Sequence, residues 1–207
     1  MTKLVGGSID DIREAAKLVL AGRLIAYPTD TVYGMGCNPF DNDAVERLVK
    51  AKERVKASLP ILVSSLGDAE RLGEMDGVAA VLANKFWPGP LTLVVWACGN
   101  LPAKVTSDSL VGLRIPNHET ARRLIRESGG ALIGTSANIS GNPSLRTAHD
   151  VVRELEGRVD HVIDGGPSPL GRESTVVRVL GDEINVLREG AISRDDILKA
   201  PSMTRAC

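Results

Sequence analysis

The chain has 207 residues, long enough for one sizeable core or at most two small domains. Hydrophobic residues make up 43% and charged residues 25%, the balance of a soluble globular protein. Aromatics at 3% argue against a base-stacking, single-strand-binding surface, and the net charge of -1 gives no general pull toward nucleic acid or anionic membrane. An anion site therefore has to be a local cluster of Lys and Arg.

Cys37, Cys98 and Cys207 are an odd set at no metal-ligand spacing, which favours a reducing cytosol. The N-terminal stretch has a glycine pair and an acidic amphipathic segment in place of a signal peptide. No apolar run approaches the ~18 residues a membrane helix needs. The expectation is a cytoplasmic protein with no membrane partner.

In chain order, Ser8 caps a helix favoured by Asp10 and Asp11, with Ile12, Ala15, Ala16, Val19 and Leu20 on one face. Gly22 stops it. Leu24–Tyr27 reads as a buried strand ending at Pro28, followed by Thr29, Asp30, Thr31, Tyr33, Gly34 and Gly36. These polar groups suit the floor of a pocket, with the two glycines letting backbone approach a ligand. Asp41 or Asn42 caps a helix with Val45, Leu48 and Val49 on its apolar face, running into Lys52 and Arg54. A strand follows over Pro60–Val63 and a helix around Val78–Lys85. Trp87-Pro88-Gly89-Pro90 forbids regular structure. Strands are expected at Leu91–Trp96, Val111–Ile115, Ala131–Gly134, His161–Ile163, Ser174–Val179 and Ile184–Leu187. Helices are expected at His118–Glu127 and Thr147–Leu155, with a last short one opened by Ser193 and Asp196. Alternating strands and helices followed by two consecutive strands predict an α/β fold on a mixed sheet. No repeat or linker interrupts it, so one domain over 1–207, with its core at about 8–198, is the economical reading.

Four further segments carry more polar groups than their flanks require. Lys52 and Arg54 point to different sides while helical, but both can turn toward an anion if the helix ends near Arg54; two cations at a helix C-terminus are also simply favoured by the dipole. Ser136 and Asn138 alternate with Ala137 after a buried strand, presenting a hydroxyl and an amide together; the alternative is an N-cap and turn cluster, weakened because Gly141-Asn142-Pro143 follows in place of a helix. Arg114 closes a strand of small apolar residues, where its planar fork suits a carboxylate or phosphate, or lies open to solvent. Gly171–Thr175 and Leu187–Gly190, taken alone, read as loops. There is no Walker loop, no dinucleotide-binding glycine fingerprint and no nucleophile elbow. His118, His149 and His161 fall at no metal spacing and beside no nucleophile. A polar, cationic pocket without a nucleophile works by positioning and charge stabilisation.

These residues match a family pattern. Tyr27-Pro-Thr-Asp-Thr-Val-Tyr-Gly-Met-Gly36, Lys52-Glu-Arg54, Trp87-Pro-Gly-Pro-Leu-Thr92, Gly112-Leu-Arg-Ile-Pro116, Ser136-Ala-Asn-Ile-Ser-Gly141, Asp164-Gly-Gly166, Glu173-Ser-Thr-Val176 and Leu187-Arg188 run in one order along nearly the whole chain. Each is weak alone, but eight in order are specific. The chain resembles the YrdC family, whose members include threonylcarbamoyl-AMP synthases acting in tRNA modification, and looks like its single-domain form. The resemblance implies a single domain with a twisted, mixed parallel and antiparallel open sheet flanked by helices. It also implies a nucleotidyltransferase that makes threonylcarbamoyl-AMP and pyrophosphate from L-threonine, bicarbonate or its CO2, and ATP. It marks Lys52, Arg54, Ser136 and Asn138 as the catalytic tetrad. Thr31, Arg114, Ser136 and Ser174 would bind threonine, Arg114 through its carboxylate, while Lys52, Arg54, Asn138, Thr147 and Arg188 would line ATP. Mg2+ is expected with ATP, without a dedicated carboxylate cage, and a downstream threonylcarbamoyl transferase is the expected partner.

The chain departs from the family pattern at Val55, where proline is usual, and is one residue longer before Pro60. Ser64 stands at the polar position after the next strand, and Leu145-Arg146-Thr147 carries one extra residue. Nothing is assigned between Val55 and Leu59. A competing reading is a module of the same fold that grips RNA or tRNA weakly without chemistry, against which the net charge weighs. A carbamoyl-transfer protein embedding a similar domain would be much longer and would carry zinc-finger and acylphosphatase segments.

Overall fold

The computed structural model describes residues 1–53, 59–99 and 101–200. The described strands form two mixed sheets. The first, in the order β1-β9-β2-β3-β8, contains β1 (Lys3–Val5), β2 (Ile25–Tyr27), β3 (Gly34–Gly36), β8 (Thr135–Ser136) and β9 (His161–Ile163). The second, ordered β11-β10-β5-β6-β4-β7, contains β4 (Ile61–Val63), β5 (Leu91–Trp96), β6 (Leu110–Arg114), β7 (Ala131–Ile133), β10 (Thr175–Leu180) and β11 (Glu183–Arg188). The expected mixed α/β architecture is present, with parallel β1–β9, β2–β9, β10–β5 and β4–β6 pairs beside antiparallel ones. The strands divide between two sheets where one was expected.

Helices cover both faces. α1 (Ile9–Leu20) opens on a capping box between Ser8 and Asp11 and buries Ile12, Ala15, Ala16 and Val19. With α5 (Glu119–Glu127) it packs over Ile25, Tyr27, Leu62, Leu132 and Ile163. The alternate residues Leu24, Ala26, Ile61, Val63 and Ile133 face the larger core on the other side. That core also holds Val45 and Leu48 of α2 (Asn42–Ala51), Leu82 of α4 (Gly77–Phe86), Val151 of α6 (Ala148–Leu155) and Ile197 of α7 (Arg194–Lys199). Burial on both faces is why these strands read as unbroken apolar runs. The remaining helix, α3 (Leu66–Glu70), is capped by Ser65.

The two sheets meet at one seam. Ile133 ends β7 in the second sheet; its N–H donates to the Cys37 carbonyl at 3.0 Å, just past β3 of the first. Its carbonyl accepts the Tyr27 hydroxyl at 2.7 Å. A Cβ on Gly36 would stand 1.9 Å from that same carbonyl, and one on Gly134 would strike the Leu62 side chain at 2.2 Å. Gly36 is therefore glycine so that backbone can meet backbone across the seam. This corrects the expectation that Gly36 makes room for a ligand. Gly34 likewise faces the Tyr27 ring. Gly134 carries the chain from β7 in one sheet to β8 in the other.

Candidate functional site at the seam between the sheets

Loops from both sheets enclose a cavity of about 640 Å³ lined by residues of the segments 31–32, 134–142 and 173–176, with Lys52, Pro60, Thr92, Val94, Gly112 and Arg188. Of the sequence-predicted residues, Thr31, Lys52, Ser136, Asn138, Ser174 and Arg188 come together here. They come from positions up to 157 residues apart, a gathering only the fold can make. Arg54 lies outside the described residues, as do Val55 to Ser58.

Lys52 is the C-cap of α2, which ends at Ala51. It is only 2% exposed, and its ammonium donates to the Ser136 carbonyl and, at 2.7 Å, to that of Asn138. Its own carbonyl accepts the Ser140 N–H at 2.9 Å. The lysine thus fixes the 136–140 loop while placing a positive charge in the cavity wall. Asn138 reinforces the loop: its side-chain amide donates to the carbonyls of Ile139 and Asn142 at 2.9 and 2.7 Å. Its Oδ1 is buried without a partner among the described residues. A turn cluster and a site wall are here the same structure.

Arg114, at the end of β6, is 5% exposed, so it is no solvent-exposed strand end. Its Nε donates to the Gly89 carbonyl at 2.9 Å and Nη1 to Thr31 Oγ1 at 3.0 Å. Nη2 is paired with the Asp30 carboxylate. Asp30 Oδ1 also accepts the Asn117 N–H at 3.1 Å, and its Oδ2 is buried without a partner among the described residues. Burial pulls the Arg114 pKa down from its usual value while Asp30 pushes it back up. Arg114 is not among the residues lining the cavity; it stands directly behind Thr31, with three of its five N–H groups committed.

On the opposite wall, Ser174 and Thr92 share a hydrogen bond of 2.9 Å between their hydroxyls. Arg188, at the end of β11, donates from Nη2 to the Ser174 carbonyl at 2.9 Å and pairs through Nη1 with Glu173. Glu173 in turn accepts from Ser144 at 2.6 Å. Thr92 and Glu173 are site residues that the sequence reading did not assign. Both sit inside quoted motifs, where each reads as strand or loop filler.

Thr147 falls outside the cavity. It is the N-cap of α6: its hydroxyl donates to Asp150 Oδ2 at 2.6 Å and accepts from the Asp150 N–H at 3.2 Å. The structure thus gives it the role of a helix cap.

Among the described residues, neither a cysteine nor a histidine lines the cavity. Burial pushes the Cys37 thiol up to about 12 and the Tyr33 phenol up to about 12, so both stay protonated at neutral pH. The Tyr33 hydroxyl donates to the Gly166 carbonyl at 2.9 Å, which fixes the 164–166 loop beside the 28–31 segment. Burial lowers the His118 pKa against the pull of Asp30. Among the described residues no group of three His, Cys, Asp or Glu is placed to hold a metal, and the carboxylate lining the cavity, Glu173, is already tied to Arg188 and Ser144. This donor set does not fit a protein-held ion. Among the described residues no helix is long and apolar enough to cross a membrane.

Comparison with known proteins gives this arrangement a lineage. The chain is 40% identical over 192 residues to the threonylcarbamoyl-AMP synthase of Pyrococcus abyssi (strain GE5 / Orsay), covering 91% of this chain and 56% of that protein. It is 38% identical over 192 residues to the one from Bacillus subtilis (strain 168), covering 90% and 55%. The chain thus spans about half the length of these curated relatives. The crystal structure of P. abyssi Sua5 complexed with L-threonine superposes with a TM-score of 0.90 at 38% identity, over 97% of this chain and 60% of that one. Residues 17–190 match the family model Sua5_yciO_yrdC, described as telomere recombination. The chain belongs to the Sua5/YciO/YrdC family.

Proposed function

We propose that the cavity forms threonylcarbamoyl-AMP and pyrophosphate from L-threonine, bicarbonate and ATP, in the cytoplasm and in service of tRNA modification. The observation that carries this is a polar, cation-bearing cavity that gathers Thr31, Lys52, Ser136, Asn138, Ser174 and Arg188 and, among the described residues, offers no activated nucleophile of its own. The reaction needs none. The threonine ammonium gives up one proton to become an amine, and bicarbonate takes up a proton and loses water to become CO2. The amine nitrogen then forms a C–N bond to the CO2 carbon as one C=O π bond opens onto oxygen, and loses a second proton, giving a carbamate. A carbamate oxygen then forms a P–O bond to the α-phosphorus as the α–β bridging P–O bond breaks, and pyrophosphate leaves with the electron pair. The protein holds the reactants in line and spreads the negative charge, a contribution of positioning and electrostatics.

In this scheme Thr31 and Ser174 face the amino acid, and Arg114 steadies that wall. Lys52, Asn138 and Arg188 face the nucleotide, Lys52 by its ammonium at the floor and Arg188 at the rim. Arg54 is assigned to the phosphates on the family pattern. An Mg2+ ion would arrive on the phosphates of ATP. A downstream threonylcarbamoyl transferase would take the product. Kinship with proteins named threonylcarbamoyl-AMP synthase, and the likeness to a threonine-bound Sua5, support this over an RNA-gripping module without chemistry. The test is pyrophosphate release from ATP, measured with threonine and bicarbonate supplied together and singly. Release is expected only when both are present. Release indifferent to threonine, or none under any condition, would contradict the proposal.

A further inference from the structure

Thr29 is buried behind the cavity wall, is not among the residues that line it, and has no part in the scheme above. Its hydroxyl has one proton, and that proton goes to the Val32 carbonyl at 2.7 Å, because a carbonyl can only accept. The 2.9 Å contact between the hydroxyl oxygens of Thr29 and Thr31 therefore has Thr31 as its donor. The Thr29 oxygen also accepts the Thr31 backbone N–H at 3.2 Å, which fills both of its lone pairs. On Thr31, one lone pair already accepts from Arg114 Nη1 at 3.0 Å. What remains on the Thr31 hydroxyl is one lone pair and no proton.

We propose that Thr29 is a positioning residue for this site: by taking the Thr31 proton it makes Thr31 a pure acceptor toward the cavity, and so selects a hydrogen-bond donor on the substrate. The inference rests on the proposed function for the identity of that substrate, threonine. Threonine brings two donors, its side-chain hydroxyl and its amino group. Its carboxylate, which only accepts, is turned away from Thr31 by lone-pair repulsion and left to the cations. Thr31 lines the cavity and its side chain is otherwise buried, so a mismatched partner there forfeits a hydrogen bond that threonine makes. Valine at position 29 would keep the branched shape but release the Thr31 proton to turn into the cavity.

The test is calorimetric titration of threonine, O-methylthreonine (no hydroxyl donor) and 3-hydroxybutanoate (no amino donor) into wild type, Thr29→Val and Thr29→Ser. In Thr29→Val, threonine affinity is expected to fall about tenfold, and the preference for threonine over one of the two analogues to shrink by about as much. The analogue affected names the donor. Thr29→Ser, which restores the oxygen, should recover both, and ATP affinity should hold in all three proteins. A folded Thr29→Val with wild-type threonine affinity and unchanged preferences overturns the inference. So does a Thr29→Ser as impaired as Thr29→Val. Independently of any ligand, and of whether the valine variant folds, NMR of the free wild-type protein should show a slowly exchanging Thr31 hydroxyl proton in Overhauser contact with Thr29. Fast exchange of that proton overturns the assignment even if threonine binds. If the contact is present but wild type binds no threonine, the functional reading fails while the proton assignment stands.

Discussion

Arg114 divides one buried guanidinium among Gly89, Thr31 and Asp30, and this arrangement decides what a substitution there does. A lysine keeps the charge but replaces a planar fork with a single ammonium, so it cannot reach three partners in different directions. With Thr31 no longer held by Nη1, Arg114→Lys should weaken threonine binding by roughly 1–3 kcal/mol, the scale of one misplaced hydrogen bond in the wall, with ATP binding little changed. Calorimetric titration of each ligand checks this; collapse of ATP affinity with threonine affinity intact would show that the two walls are assigned the wrong way round. At this scale the sequence revealed residue identity but not partnership. Arg114 was visible as a cation at a strand end, whereas the carboxylate it holds belongs to Asp30, 84 positions away. Glu173 and Thr92 were missed for the same reason: a lone acid before a strand and a threonine within one carry no signal until Arg188 and Ser174 are placed beside them.

Among the elements, helices long enough to show a period and strands built from buried apolar runs were legible. α1, α2, α5 and α6 begin where a Ser, Asp or Thr cap or an acidic first turn announces them. β1, β3, β8 and the five-residue α3 were not expected. The equally short β2, β4, β7 and β9 were expected because they are largely apolar and buried, whereas Lys3–Val5 is mostly exposed, Thr135–Ser136 is polar, and the glycines of Gly34–Gly36 favour no extension. Register with neighbours makes them strands: Gly34 pairs with Ser136 and Tyr27, and Met35 with Thr135 and Ala26. Thr147 shows what the motif reading did not separate, since its hydroxyl caps α6. On that role, Thr147→Ala should cost about 0.5–2 kcal/mol of stability. That amounts to a few degrees in Tm for a chain of this size, with ATP affinity unchanged. Thermal denaturation and titration together check it; lost ATP affinity at unchanged stability would return Thr147 to the site.

For the whole molecule, the sequence motifs are scattered because the site is a seam. Segments from the first sheet bring Thr31 and Ser136, and the second brings Thr92, Ser174 and Arg188, while Lys52 ties down the loop that closes the join. The α/β class followed from alternation of strands and helices, but two sheets meeting at Ile133 could not, since Gly36 and Gly134 mark the contact only by lacking a side chain. Under the proposed function the reactants carry their own nucleophiles, and the central claim is that the carbon of bicarbonate ends up between threonine and AMP. The most direct test is incubation with threonine, ATP and 13C-labelled bicarbonate, followed by mass spectrometry of the adenylate. The account predicts a threonylcarbamoyl adenylate one mass unit heavier than its unlabelled form, with pyrophosphate in equal amount. An unlabelled threonyl adenylate, formed without the bicarbonate carbon, would contradict it.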